Sequence, residues 1–166
     1  MSSKERVMVF LDGSNTFHAL RRLGLKIDYY KLLNQLVGSR VLARAYYYSS
    51  TKVPQSETQA KFHRALSYEG FTVVTRPVKV IKDDLWIEKG VDLALVTDML
   101  VNAFGNLFDT AILVSGDRDF AMALSEVKRL GKKVEVAAFK KTIGQELKEI
   151  ADQYVALDDL YDKIHQ

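Results

Sequence analysis

The 166-residue sequence contains no cysteine, which excludes disulfide bonds and thiolate metal sites. Its three histidines, His18, His63 and His165, are far apart in the sequence and form no pair with the spacing of zinc ligands. Any bound metal must therefore be held by oxygen ligands. No apolar run reaches the roughly 18 residues of a membrane-spanning helix, so no membrane association is expected.

The N-terminal residues also lack the apolar core and cleavage site of a signal peptide, so we expect a cytoplasmic protein. No repeat, linker or low-complexity segment divides the chain, and a single domain over residues 1–166 is expected. The net charge is +3 and the isoelectric point is near 9.0. If several aspartates share one pocket, the remaining surface is more basic than this total, which suits a polyanionic partner.

Short apolar runs alternate with helical patterns along the whole chain. Residues 6–11, which are apolar after Arg6, and residues 111–114 are runs of the kind that form strands buried on both faces of a parallel sheet. Further strands are predicted at residues 41–48, 71–75, 134–139 and 154–157. This alternation predicts a three-layer, Rossmann-like α/β fold with a mainly parallel sheet of five to six strands. Residues 76–89 are interpreted as a strand extension or hairpin arm.

Several helix positions can also be assigned from local patterns. The first helix is expected to turn Phe17 inward, and Pro54 is expected at the first position of the third helix. Residues 91–101 are apolar nearly all round, so the helix that they form is predicted to be largely buried.

Aspartates occur where predicted strands end. Asp12 follows the first strand directly, and Asp117 follows the strand at 111–114 after two small residues. Ligands of open parallel sheets bind outside the carboxyl ends of the strands, so both side chains belong at one edge. Asp119 lies two residues beyond Asp117, near the N-terminus of the same predicted helix. Asp92 lies in the first turn of the predicted buried helix, where a carboxylate is costly unless it is paired or metal-bound.

Four converging carboxylates cannot all stay ionised without a cation. Mg²⁺ or Mn²⁺ is the type of ion that such oxygen ligands select. An ion of this type can activate water and stabilise the attacking and leaving oxygens of a phosphodiester. The residues alone do not choose between RNA, DNA and another phosphate ester.

Each of these aspartates also has an ordinary structural interpretation. Asp117 can cap the helix that follows it, Asp119 can oppose the helix dipole, and Asp12 can be a turn residue. Asp98 lies six residues beyond Asp92 and points about 120° away on a helix, so it is expected to contact another loop rather than the same metal. The predicted metal site would be absent only if the ordinary structural interpretation were correct for every one of these aspartates.

Three motifs in these segments resemble the NYN domains, a branch of the PIN-like metal-dependent nucleases, and closely their LabA-like subgroup. The motifs are residues 10–15, residues 89–95 with Asp98, and residues 115–120, and the segments 131–136 and 147–152 also fit. The resemblance covers roughly residues 7–157. It implies a PIN-like fold and an Mg²⁺- or Mn²⁺-dependent ribonuclease. Some members of the family are regulators, so the resemblance alone does not secure catalysis.

The resemblance also implies roles for individual residues. It implies a catalytic and metal-binding set of four carboxylates, Asp12, Asp92, Asp117 and Asp119. Asn15 and Ser115 are implied as supporting residues, and Asp98 is counted with them. Lys89 and Arg118 are candidate substrate-binding residues because they flank the acids and carry positive charge. Further basic side chains with Tyr46, Tyr48 and Trp86 are candidates for RNA contact, although aromatic residues in such patterns are more often part of the core.

The expected partners are RNA in single-stranded form and a second copy of the chain in a homodimer. A non-catalytic RNA-binding or regulatory protein with the same fold is the alternative function. A phosphatase of the haloacid-dehalogenase type is ranked last, because position 14 is serine and Asp12 therefore lacks a second aspartate at spacing two.

Overall fold

The computed structural model describes residues 4–81, 85–88 and 90–166, of which 79–81 and 85–88 are described by their backbone. The strands of this part of the chain are β1 (Arg6–Asp12), β2 (Val41–Thr51), β3 (Phe71–Ile81), β4 (Leu85–Glu88), β5 (Thr110–Val114), β6 (Lys133–Ala138) and β7 (Gln153–Ala156). Its α-helices are α1 (Gly13–Leu23), α2 (Tyr29–Val37), α3 (Glu57–Tyr68), α4 (Val91–Phe104), α5 (Ala121–Arg129), α6 (Gln145–Ile150) and α7 (Leu157–Ile164).

These strands form one sheet in the order β4-β3-β2-β1-β5-β6-β7. All neighbouring strands are parallel except β3 and β4, which are antiparallel. The predicted α/β fold with a mainly parallel sheet is confirmed. The hairpin arm predicted for residues 76–89 is present as the extended end of β3 with the short strand β4.

The central strand β1 contributes to the core on both faces of the sheet. Val7, Val9 and Leu11 contact the layer formed by α1, α2, α3 and α7. Met8 and Phe10 contact the layer formed by α4, α5 and α6. This alternation is the two-residue period of a strand buried on both faces, as the apolar run predicted.

The chain reverses its direction across the sheet between β1 and β5. It proceeds from β1 to β2 and β3 on one side, and it later returns to β5 and continues to β6 and β7 on the other side. In sheets of this type, ligands bind in the crevice outside the carboxyl ends of the strands at the reversal point. Asp12, at the end of β1, lies at this crevice.

Three local predictions about the helices are wrong. Phe17 is 54% exposed rather than inward. The helix α3 begins at Glu57 rather than Pro54, because the Ser56 hydroxyl accepts a hydrogen bond from the N–H of Gln59 at 3.1 Å and so caps the helix. The helix α4 is half exposed, with Phe104 83% accessible, because the sheet covers only one of its sides.

No helix within residues 4–81, 85–88 and 90–166 is long and apolar enough to cross a membrane.

The largely buried carboxylate of Glu135 on β6 forms a two-point ion pair with Arg40. The N–O distances are 2.5 and 3.0 Å. Arg40 also donates hydrogen bonds to the carbonyl oxygens of Leu36 and Val37 in the last turn of α2, at 2.7 and 3.2 Å. This guanidinium therefore joins the end of α2 to the sheet.

We expect Glu135→Gln to lower the free energy of unfolding by about 2 kcal/mol, because the partly buried Arg40 would lose its two-point ion pair and keep only the longer one with Glu5, at 3.6 Å. The exposed pair of Arg129 and Glu126 provides a control, and Glu126→Gln should change stability by no more than about 0.5 kcal/mol. Urea denaturation measures both values. Equal losses in the two variants would show that burial does not strengthen the Glu135 pair.

Candidate active site

Asp12 is the buried centre of the candidate site. It is only 3% exposed, and its carboxylate caps α1 by accepting a hydrogen bond from the N–H of Asn15 at 3.2 Å. Its other oxygen accepts a hydrogen bond from the Ser115 hydroxyl at 3.1 Å. The turn leaves no room for a side chain at Gly13, where a Cβ would lie 2.4 Å from the ring of Tyr47. These contacts fix the Asp12 carboxylate in place.

Two further hydrogen bonds join the loops that follow β1 and β5. The side-chain oxygen of Asn15 accepts from the N–H of Gly116 at 2.9 Å. The Ser115 hydroxyl accepts from the N–H of Asp117 at 3.1 Å while it donates to Asp12. Asn15 and Ser115 therefore determine the relative position of the two loops that carry Asp12 and Asp117.

Asp117 is half-buried and has the capping contact expected of its ordinary structural role. Its carboxylate accepts a hydrogen bond from the N–H of Asp119 at 2.9 Å, at the start of a short 3-10 turn, Arg118–Phe120. The helix α5 begins immediately after this turn. Arg118 and Asp119 are exposed on the turn. The cap engages one oxygen of Asp117, so it is compatible with a second role for this carboxylate.

Two of the other predicted acids act electrostatically on Asp12. The pKa of Asp12 is raised to about 6, mainly by burial and to a smaller extent by the charges of Asp92 and Asp117. The hydrogen bonds from Asn15 and Ser115 act in the opposite direction. In the described residues, Asp119 is not among the causes of this shift.

The helix α4 brings Asp92 to this edge. Asp92 lies in the first turn and is exposed, which corrects the expectation of a buried carboxylate. Asp98, on the same helix, accepts a hydrogen bond from the hydroxyl of the fully buried Tyr48 at 2.9 Å. Burial and the Asp98 carboxylate both raise the pKa of Tyr48. Asp98 therefore joins α4 to β2 rather than to the predicted loop.

The comparison with protein families identifies the family of this chain. The NYN domain model matches residues 6–158. This chain belongs to the NYN domain family. NYN domains are PIN-like nucleases, a class that generally uses divalent metals and acts on RNA.

Two known proteins are similar to this NYN domain over nearly its whole length. The low amplitude and bright protein LabA of Synechococcus elongatus is 30% identical in an alignment of 162 residues that covers 93% of this chain and 85% of LabA. The crystal structure of a protein of unknown function from Vibrio parahaemolyticus matches with a TM-score of 0.83 and 26% identity, and the match covers 99% of each chain. The structural match supports the PIN-like fold.

The acids of this NYN domain fit a hydrated hard cation rather than a closed cage of protein ligands. Among the described residues, no group of three or more aspartate, glutamate, histidine or cysteine side chains is arranged to hold a metal ion. Mg²⁺, however, commonly uses one or two carboxylates and retains several waters. The raised pKa of Asp12 reflects burial and negative charge, both of which a divalent cation would offset.

The predicted substrate-binding residues have different outcomes. Arg118 is exposed next to Asp117, whereas Lys89 lies outside the described residues. Tyr46 and Tyr48 are buried, so they are not available to stack on bases, in agreement with the more common core interpretation. They lie two residues apart on β2 and both contact the core beneath α4, so their burial follows from the strand period. The side chain of Trp86 lies outside the described part.

Accessible aromatic rings near Asp12 come from residues that the sequence pattern placed in the core. Phe17 on α1 is more than half exposed, and Phe62 on α3 is 37% exposed. Both occupy apolar positions of amphipathic helices. The only signal in the sequence is that Phe17 follows soon after Asp12 in the chain. This short separation in sequence does not distinguish a ring buried in the core from an accessible one.

We expect Asp12→Asn to raise the melting temperature at pH 8 in the presence of EDTA. The pKa of Asp12 is higher in the folded protein than in an unfolded chain, so ionisation of this carboxyl destabilises the fold increasingly from about pH 4 to pH 6 and fully above pH 6. Removing the charge should therefore add about 2 kcal/mol, or roughly 4–8 °C, at pH 8 and nothing near pH 4.

The exposed Asp119 supplies the control for this measurement. Asp119→Asn removes a neighbouring carboxylate that is not buried, so its melting temperature should follow that of the unmodified protein across the same pH range. Differential scanning calorimetry at pH 4, 6 and 8 measures all three proteins. The amide of Asn accepts through one oxygen only, so the charge is tested by how the difference from the unmodified protein changes with pH. If Asp12→Asn does not gain melting temperature relative to the unmodified protein between pH 4 and pH 8, the local environment does not oppose the charge.

Proposed function

We propose that this NYN domain is a metal-dependent ribonuclease that hydrolyses phosphodiester bonds of RNA at the edge formed by Asp12. The observation that carries the proposal is the buried Asp12 carboxylate at the point where the sheet reverses, and the charges of Asp92 and Asp117 help to raise its pKa. Burial and like charge oppose ionisation there, and an Mg²⁺ or Mn²⁺ ion would relieve both effects. Family membership independently favours a nuclease over the phosphatase alternative.

The residues of the chain have distinct roles in this proposal. Asp12, Asp92 and Asp117 would hold a hydrated ion, one or two of them directly and the rest through its waters, with Asp119 completing the acidic set at the exposed turn. The ion would supply an activated water and stabilise negative charge on the phosphate. Ser115 and Asn15 keep the two loops at a fixed separation through their hydrogen bonds to Asp12 and Gly116.

Positive charge next to the acids would hold the RNA backbone. Arg118 is exposed and directly follows Asp117, so its guanidinium can pair with a phosphate on either side of the cleaved bond. Lys89 is assigned the same role from its sequence position, three residues before Asp92. Binding at such sites should weaken as salt concentration rises.

A non-catalytic RNA-binding protein is the second candidate function. The observation that favours it is that three protein ligands are not arranged for a metal within the described ranges. It predicts salt-dependent RNA binding without turnover in any divalent metal. The two candidates therefore differ in one measurement, the cleavage of a bound RNA.

The test is incubation of the purified protein with end-labelled single-stranded RNA in Mg²⁺, Mn²⁺ or EDTA. We expect metal-dependent cleavage that Asp117→Asn lowers by about 100-fold or more, because a metal ligand supports several kcal/mol of transition-state stabilisation. Asp162→Asn, an exposed change on α7, should leave the rate unchanged. Cleavage that survives both EDTA and Asp117→Asn would come from a contaminating nuclease and would remove the support for this assignment.

The same assay addresses the substrate class. Single-stranded DNA and duplex RNA of matching sequence serve as competitors, and the proposal requires single-stranded RNA to compete best. The one-domain organisation, the homodimer and the cytoplasmic location stay predictions. Light scattering of the purified chain tests the homodimer.

A further inference from the structure

A cavity of about 710 Å³ opens beside Asp12 on the face of the sheet that α1 and α3 cover. Its lining begins at Gly13 and Ser14, directly after Asp12, and continues over Ser49 and Ser50 at the end of β2. A ligand in this cavity would therefore lie next to the acidic edge. The volume falls within the roughly 300–1,000 Å³ of typical small-molecule sites.

Aromatic rings form much of the cavity wall. Phe17 and Phe62 are accessible on opposite helices, α1 and α3. Phe62 packs edge-to-face against Tyr29 and Tyr47, with ring centroids 5.6 and 5.8 Å away. These two tyrosines support the Phe62 ring from behind, so it is already positioned to contact a flat ligand.

The charged side chains that line the cavity are positive. Arg21 and Lys26 line it together with His18, and no aspartate or glutamate side chain occurs among the described lining residues. The Gln59 amide lies at the same wall and donates to the carbonyl oxygen of Ser50 at 3.2 Å. The cavity therefore combines flat apolar surfaces, groups that form hydrogen bonds, and positive charge.

We propose that this cavity binds the unpaired base of a nucleotide that flanks the cleaved phosphodiester, with Phe17 and Phe62 as the stacking residues. This inference rests on the proposed nuclease function and adds to it the means by which single-stranded RNA is held. A base has two apolar faces for stacking and hydrogen-bonding edges, and aromatic stacking tolerates any base sequence. Arg21 and Lys26 neutralise the adjoining phosphates.

The position of the cavity restricts the RNA that can use it to a single-stranded form. The cavity lies on one side of β1, whereas Asp92 approaches the same strand end from α4 on the other side. A nucleotide whose phosphate lies at Asp12 can enter the cavity only with its base unstacked and unpaired. A base in a duplex is not free to turn away from its neighbours.

The test uses a short single-stranded RNA that carries 2-aminopurine, a base whose fluorescence falls when it stacks. Binding to the full chain is measured in EDTA, so that no cleavage occurs. We expect Phe17→Ala and Phe62→Leu to weaken binding by roughly 5- to 100-fold and to abolish the fluorescence quenching. Phe104→Ala, which removes a still more accessible ring from α4, is the matched control and should change binding less than about twofold.

The outcomes separate this inference from the proposed function. If RNA binds and is cleaved in Mn²⁺ but neither cavity variant affects binding or quenching, the base site is wrong and the nuclease assignment stands. If RNA is neither bound nor cleaved, the nuclease assignment fails. Adenosine monophosphate is the second probe. If it binds with the same dependence on Phe17 while RNA does not, the cavity is a site for free nucleotides, and the assignment to RNA is overturned.

Discussion

The hydrogen bond from Ser115 to Asp12 joins the two strand ends at which the sheet reverses. A second bond, between Gly116 and Asn15, lies beside it. Both hydrogen bonds join the loop after β1 to the loop after β5. Together they hold the loops close enough for the charge of Asp117 to raise the pKa of Asp12. The negative charges of Asp12 and Asp117 repel each other, so their arrangement depends on these hydrogen bonds and on the fully buried strands beneath them.

The fold and the location of the site could be predicted from the sequence because both follow from short-range rules. Uninterrupted apolar runs indicate strands buried on both faces, and parallel connections bring their carboxyl ends to one edge. Asp12 and Asp117 follow such strands and therefore had to lie near each other. The contact between Asn15 and Gly116 could not be predicted, because loop conformation depends on residues from two separate segments.

The patterns of apolar residues gave wrong predictions of burial where burial depends on which other element covers a surface. The helix α4 is apolar nearly all round, yet the sheet covers only the side that includes Leu95 and Met99. Phe17 occupies an apolar position of α1 but lines an open cavity instead of the core. Periodicity identifies the side of a helix that is apolar, whereas burial depends on the neighbouring elements, which the local sequence does not specify.

The acidic edge and the aromatic cavity depend on the same turn. At Gly13, a Cβ would lie within 2.4 Å of the Tyr47 ring and 2.6 Å of the carbonyl oxygen of Tyr48. Tyr47 supports Phe62 on the cavity side, and Tyr48 binds Asp98 on the side of α4. A larger residue at position 13 would displace both tyrosines together with Asp12. The position of the acids and the shape of the cavity are therefore coupled through β1 and β2.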